Sequence, residues 1–220
     1  MNDKINQKLK YEKALKYEIF VKEEYGFAKE KVKTAKCIFD IWGHVWIFSQ
    51  WCRSLNSKAE IHYFEPVKHF YDVAKNGFWN DSNIILNNQW IWSKSSEWVI
   101  LVNEKMTMQS SKYSSFLNPE WNETIVEFIS LEDYLKNTNI SKIDILKMDI
   151  EWMEFEVLSS RADYEWQKID NMIVEIHLLN ENMKSEWNQI FLKIKSSFNR
   201  VNIINSWYRD EIFLLWAENN

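Results

Sequence analysis

Asp40, Glu65 and the pair Asp149 and Glu151 each stand where a short apolar run ends and a turn begins. Acids at such places can take hydrogen-bond donors or a cation from a ligand. Asp40 is followed by Ile41-Trp42-Gly43-His44-Val45-Trp46. With glycine at 42 and 46 the run would be D-x-G-G-x-x-G, a turn whose backbone can approach a ligand at a helix N-terminus. An acid two residues before that turn suits a cationic amino group better than a pyrophosphate. Glu65, in Phe64-Glu65-Pro66, has the geometry to accept two hydrogen bonds from a ribose diol. Asp149 and Glu151 follow Lys147, which lies just inside the third run. Each motif also has a plainer explanation. An Asp before a turn caps a helix, Glu-Pro closes a turn, and Lys147 can be the ion-pair partner of a carboxylate.

The chain carries thirteen tryptophans and three glycines. Average glycine usage is about 7%, and Trp and Gly together reach that share while Gly alone falls far below it. Several tryptophans stand in polar, turn-like settings: Asn76-Gly77-Phe78-Trp79-Asn80-Asp81, Asn118-Pro119-Glu120-Trp121-Asn122 and Asn205-Ser206-Trp207-Tyr208-Arg209-Asp210. Glycine belongs in such clusters and tryptophan does not. One reading is a source that translates the UGA codon as glycine, with UGA rendered here as tryptophan. The other is a tryptophan-rich protein whose indoles are core or ligand platforms. Trp166 and Trp187 have helical surroundings, so the glycine reading is weaker there.

These residues must be positioned by strands and helices that alternate. Cys37 to Ile41, Glu60 to Phe64, Asn83 to Leu86, Ile143 to Met148 and Asn171 to His177 are apolar runs of strand length. Val45–Ser54, Val67–Lys75, Leu131–Lys136, Glu154–Ser160 and Glu186–Ser197 have helical character, Ser130 and Asp133 making a capping box before the third. Glu97 to Val102 and Thr124 to Ile129 read as further strands around a polar loop, Met106 to Asn122. Val201 to Asn205 and Glu211 to Leu215 can pair as a terminal hairpin across a Ser206–Asp210 turn. The alternation implies right-handed crossovers and an α/β fold with a mostly parallel sheet, the hairpin adding an antiparallel edge. Residues 1–34 read as an N-terminal helical segment, amphipathic and broken near Gly26, and 35–220 as one domain.

Bulk properties bound the partners. A net charge of -5 argues against nucleic acid and anionic membranes. Nothing reaches transmembrane length. Met1 to Lys16 has no apolar signal region, and two cysteines, Cys37 and Cys52, make the reducing cytoplasm the expected compartment. No Cys/His spacing resembles a zinc site, so no metal is expected.

Taken in order, the motifs resemble the FkbM family of S-adenosylmethionine-dependent methyltransferases. The matching residues are Phe39-Asp40-Ile41-Trp42-Gly43-His44-Val45-Trp46, Phe64-Glu65-Pro66, Ser130-Leu131-Glu132-Asp133-Tyr134 and Ile173-Val174-Glu175-Ile176-His177. The most specific is Ile143-Asp144-Ile145-Leu146-Lys147-Met148-Asp149-Ile150-Glu151-Trp152-Met153-Glu154-Phe155-Glu156-Val157-Leu158, against a family pattern of roughly I-D-L-L-K-I-D-V-E-G-x-E-x-x-V-L. The resemblance covers about residues 36 to 180. Trp42, Trp46 and Trp152 all fall at family glycines, which supports the codon reading independently.

The resemblance implies a Rossmann-like, doubly wound, seven-stranded sheet of the class I methyltransferase type and S-adenosylmethionine as cofactor. It implies that the turn of Asp40, Trp42, Gly43 and Trp46 holds the methionine part of the cofactor. Glu65 would hold the ribose, and Asn87 and Gln89 would lie near the adenine. Asp149 and Glu151 would border the methyl group and the acceptor. His177, at a strand end, is a candidate general base because its pKa lies near neutrality; a packing histidine is the equal alternative. His44 reads as a turn residue, and His62 and His69 carry no assignment. The acceptor would be a small molecule or glycan, and O-methylation of a sugar or other small hydroxylated metabolite is the expectation. Two other classes compete. A nicotinamide-dependent oxidoreductase would need glycine at Ile41 for its G-x-G-x-x-G. A non-catalytic carbohydrate-binding module would use the tryptophans as stacking platforms.

Overall fold

The computed structural model describes residues 12–103, 110–111, 121–150, 154–160, 163–178, 180–205 and 211–219. The apolar runs become the middle of a sheet. They are β1 (Cys37–Ile41), β2 (Glu60–Phe64), β3 (Ile84–Asn87), β8 (Ile143–Met148) and β9 (Ile169–His177). The antiparallel edge is β10 (Arg200–Asn205) and β11 (Ile212–Glu218), and the sheet order is β10-β11-β9-β8-β1-β2-β3. The pairs β1–β2, β2–β3, β1–β8 and β8–β9 are parallel. The two pairs made by β11 are antiparallel. This is the expected doubly wound, seven-stranded sheet. Its central strands are covered on both faces, which is why they read as continuous apolar runs. Ile38, Ile61, Phe64, Ile145, Leu146, Ile173 and Val174 are fully buried in it.

Helices α1 (Lys29–Thr34), α2 (Ile47–Leu55), α3 (Lys68–Gly77), α4 (Leu131–Thr138), α5 (Glu154–Ser159), α6 (Asp163–Trp166) and α7 (Glu181–Ser197) pack around the sheet. Ser130 caps α4 by accepting from the Asp133 N–H at 3.0 Å, and Asn139 ends it in the left-handed region. Helix α7 starts five residues before its expected Glu186, because the Asn180 side chain accepts from the Met183 N–H and caps a polar first turn.

A second sheet lies beside the first, in the order β4 (Trp90–Trp92), β7 (Trp121–Ser130), β5 (Ser96–Asn103), β6 (Ser110–Ser111). Strand β4 pairs parallel with β7, and β7 and β6 pair antiparallel with β5. Only β5 and β7 had a strand signature; β4 and β6, at three and two residues, are too short for one. Most of the Met106–Asn122 loop and the Ser206–Asp210 turn lie outside the described residues.

The N-terminal segment is helical over 12–16, passes through a π-helical turn (Tyr17–Val21), and resumes at Gly26. Ile19, Tyr25, Ala28 and Val32 are buried in the common core, Tyr25 meeting Phe48 edge-on at 5.0 Å. One side chain ties this segment to the sheet. The Asn56 amide donates to the Val32 and Ala35 carbonyls at 2.9 and 2.8 Å, and its oxygen accepts from the Lys58 and Ala59 N–H groups, each at 3.0 Å. Asn56→Ala leaves these backbone groups to find other partners. It is expected to lower the unfolding free energy by about 1–3 kcal/mol, read as a lower urea midpoint at unchanged slope.

Candidate active site

Sheet order reverses between β1 and β8, because the chain winds one way from β1 to β3 and returns to place β8 on the other side. Ligands of such sheets sit beyond the carboxyl ends at that point. Asp40, Glu65, Asp149 and His177 all stand at or just past those ends, on β1, β2, β8 and β9.

A buried cation lies at the centre. The Lys147 ammonium donates to the Trp42 carbonyl at 3.1 Å and lies 3.5 Å from Asp40 Oδ1 and 3.9 Å from Asp149 Oδ2. Burial pulls its pKa down, but Asp40, Asp149 and Glu175 outweigh that and hold it above the ordinary lysine value. It is a fixed positive charge at neutral pH. Asp40 is fully buried, and its other oxygen accepts from the Ser49 hydroxyl at 2.6 Å. Lys147 thus faces both Asp40 and the Trp42 carbonyl of the turn. Ser49, inside α2, had no motif to mark it.

The turn after β1 has glycine-like geometry. Trp42, His44 and Trp46 have φ of 64°, 44° and 64°. That left-handed region costs a residue with a Cβ roughly 1–2 kcal/mol, and Gly visits it routinely. Gly43 donates its N–H to the Phe64 carbonyl at 2.9 Å, and a Cβ on it would meet the Tyr63 ring at 2.0 Å. The Trp42 indole is buried against Trp90, ring centroids 4.5 Å apart. Trp42 directly follows β1 and Trp90 starts β4 of the second sheet, so the indole pair joins the two sheets beside the carboxyl end of β1. Trp46 packs on Phe78 and over Gly77.

Glu65 is also fully buried, and it joins two motifs. Its Oε2 accepts from the His44 N–H in the β1 turn at 2.9 Å, and its Oε1 accepts from the Val67 N–H at 2.8 Å. Each oxygen keeps a second lone pair. Burial pushes its pKa up to about 8, against the pull of those N–H groups and of Lys147. Asn88, unmarked in the sequence, pins Glu65 in place by donating to the Glu65 and Pro66 carbonyls at 2.8 and 3.0 Å. The Asn87 side chain donates to the Tyr63 and Ile85 carbonyls and accepts from the Tyr134 hydroxyl. Gln89 is half-buried past the end of β3.

At the other side of the switch point, Asp149 gathers with His177 and Glu175. One ligand-capable atom from each lies within 4.8 Å of the others. His177 is buried, its Nδ1 2.9 Å from the Glu154 carboxylate and its Nε2 3.7 Å from Glu175. Glu151 and Trp152 lie outside the described residues. Glu24, from the N-terminal segment, faces this group. Burial pushes it up to about 7, with Glu18 and Asp149 adding to the rise and Lys147 and Lys22 opposing it. His44 tilts against Phe70 at 4.3 Å. Both ring nitrogens of His62 have partners, Tyr134 and Glu60, away from these groups.

The family profile described as Methyltransferase FkbM domain matches residues 41–201. A curated protein named Methyltransferase 1, from Beauveria bassiana (strain ARSEF 2860), is 31% identical over 75 residues, which is 34% of this chain and 30% of that protein. The crystal structure of Methyltransferase FkbM from Methylobacillus flagellatus KT superposes with a TM-score of 0.52 at 13% identity, over 83% of this chain and 43% of that one. A candidate methyltransferase from Streptococcus mutans, solved in complex with SAH, superposes with a TM-score of 0.50 at 6% identity, over 89% of this chain and 97% of that one. The matched regions thus span less than half the length of the first two. At these identities the structural likenesses concern the fold.

The raised pKa of Glu65 has a consequence for stability. A carboxyl group that titrates at about 8 in the folded chain and at 4.5 in the unfolded one gives stability that is complete below pH 4.5 and is lost as pH rises toward 8. Glu24, raised to about 7, acts with the same sign. Thermal unfolding of the ligand-free chain should therefore move to lower temperature between pH 5 and 8. Glu65→Gln should flatten that slope, to which one such group adds at most about 1.4 kcal/mol per pH unit. A slope identical in both chains would show that Glu65 does not titrate in this range.

Proposed function

Because the chain belongs to the FkbM methyltransferase family, we propose that it transfers a methyl group from S-adenosylmethionine to a hydroxyl of a sugar or other small hydroxylated acceptor. The observation that carries this reading is the Glu65 carboxylate, held at the end of β2 by an N–H of the β1 turn. It leaves two lone pairs for a ribose diol beside a turn whose backbone can approach a ligand. The SAH bound to the Streptococcus mutans relative supports the same cofactor class.

The left-handed backbone of the turn supports a close approach to this cofactor, and a bulky Trp42 side chain works against it. The φ of 64° at 42 and 46 is a glycine conformation, while the Trp42 indole fills the crevice with Trp90. We therefore propose that the native protein has glycine at 42, 46 and 152, its source reading UGA as glycine. Trp187 makes ring contacts with Phe155, Phe191 and Phe213 inside and beside α7, and it stays a tryptophan in this proposal.

When bound, S-adenosylmethionine supplies a methyl group on a positively charged sulfur. The protein has to align donor and acceptor, exclude water and take up the acceptor proton. In the proposed arrangement Asp40 and the turn 42–46 hold the methionine part, Glu65 holds the ribose and Asn87 and Gln89 border the adenine. Lys147 fixes Asp149 and the turn relative to each other. Asp149, Glu151 and His177 border the transfer path, with His177 as the proton acceptor. The free thiols of Cys37 and Cys52 support a reducing, cytoplasmic setting. Among the described residues no helix is long and apolar enough to cross a membrane.

Three measurements test the reading. Peptide mass spectrometry of protein from its source is expected to show glycine at 42, 46 and 152, and tryptophan at those positions would refute the codon proposal. Calorimetry on the chain with those three glycines is expected to show binding of S-adenosylmethionine and none of a nicotinamide dinucleotide. In that background Glu65→Ala should stay folded and bind at least tenfold more weakly, since charge-assisted hydrogen bonds are worth about 1.5–3 kcal/mol. Asp149→Asn should reduce turnover more than affinity. Nicotinamide binding without S-adenosylmethionine binding would reverse the assignment.

A further inference from the structure

Glu154 has no role in the proposal so far, yet it is fully buried beside the proposed proton acceptor. Its Oε1 lies 2.9 Å from His177 Nδ1. A carboxylate only accepts hydrogen bonds, so this contact requires a proton on Nδ1. In the neutral ring Nε2 then carries the lone pair. Nε2 lies 3.7 Å from Glu175 Oε2, on the side where Asp149 and Glu175, each about a quarter exposed, form the edge of the cleft. Glu154 sits on the first turn of α5 and His177 is the last residue of β9, so the pair clamps the helix after β8 to the end of the neighbouring strand.

We propose that Glu154 is a positioning residue for methyl transfer. It holds His177 as the Nδ1–H tautomer, with basic Nε2 turned toward the Asp149–Glu175 edge. This rests on the methyltransferase reading above. In the reaction an acceptor hydroxyl oxygen forms its bond to the methyl carbon, and the carbon–sulfur bond breaks with its electron pair going to sulfur. The hydroxyl proton passes to Nε2, and the resulting imidazolium keeps its Nδ1–H on Glu154. Among the described residues, the charges nearest the ring are Glu154 from α5, Glu175 from β9 itself, Asp149 after β8 and the Lys147 cation of β8. Exposed Glu211 stands just before β11, beside Ile212, the register partner of His177. Three nearby carboxylates favour the protonated ring and Lys147 opposes them, so loss of the Glu154 charge should lower the His177 midpoint.

The test is a long-range proton–nitrogen NMR titration of the ring in ¹⁵N-labelled protein, the signals assigned by their loss in His177→Gln. Wild type should show Nδ1 protonated and Nε2 bare above the midpoint. Glu154→Gln should drop the midpoint by about one unit, and Glu154→Asp, which keeps the charge, should retain most of it. A bare Nδ1 in wild type, a measurement that needs no variant to fold, would overturn the proposal. So would an unchanged midpoint in Glu154→Gln. Broadening of Nε2 by submillimolar manganese would also overturn it, by making His177 a metal ligand with Asp149 and Glu175. Calorimetry with S-adenosylhomocysteine, on the same chain carrying glycine at 42, 46 and 152, separates the two levels. The wrong tautomer with binding intact defeats the Glu154 assignment alone, whereas absent binding defeats the methyltransferase reading and the catalytic role of the pair together.

Discussion

The buried ammonium of Lys147 is the interaction on which the site depends. It comes from β8, and it engages a carboxylate of β1, the carbonyl of the turn that follows β1, and the acid just past β8. Two parallel strands are thereby tied at the ends where the sheet changes direction. A charge with this little exposure is tolerated only when paired and hydrogen-bonded, so each partner is held as firmly as it holds. Lys147, Asp40 and Ser49 form a chain of contacts from the middle of the sheet into α2.

Around this centre the site divides by charge. On the β1–β2 side, Glu65 is buried and anchored by backbone N–H groups, so its energy depends on whether a donor or a proton occupies its remaining lone pairs. On the β8–β9 side, Asp149 and Glu175 stand closer to solvent beside the buried His177, which is backed by the buried Glu154, and Glu24 from the N-terminal segment faces the group. That segment lies outside the span matched by the family profile, yet Tyr25 and Val32 are part of the common core. Among the described residues, carboxylates outnumber cations around this point, which suits a ligand that itself carries positive charge.

The turn after β1 shows a conflict between backbone and side chains. Its hydrogen bonds and left-handed φ values are those of a glycine turn, and the sheet holds them although indoles occupy 42 and 46. Strand pairing on either side constrains the turn more strongly than the preference of a tryptophan opposes it, so the fold survives while the crevice fills. This is why strand patterns and the tryptophan anomaly are legible separately. The strands depend on runs such as Ile143–Met148, which contain no doubtful residue, and the turn depends on positions where a side chain is either present or absent.

The strands β1, β2 and β8 were legible residue for residue, because each is a short stretch dominated by apolar residues with an acid at or just past its end. The N-cap at Ser130 was legible because it is a contact between residues three apart, whereas the other half of the capping box is replaced by Ser95, which bonds both the Ser130 N–H and the Asp133 carboxylate. Alternation gave the mostly parallel sheet and its antiparallel edge, while the order of the strands came only with the structure. Other features were not legible, since they join residues far apart in the chain. The Asp144 carboxylate accepting from the Lys36 and Cys37 N–H groups, Asn56 holding α1, Ser49 on Asp40, and Glu154 on His177 are all long-range or cross-element pairs of ordinary residue types. The second sheet was half hidden because two of its strands are too short to carry a period. Sequence alone therefore determined which residues end the strands and what chemistry they can carry. Only the tertiary structure decided which of them face each other, because burial and pairing at a strand end depend on neighbours the sequence places a hundred residues away.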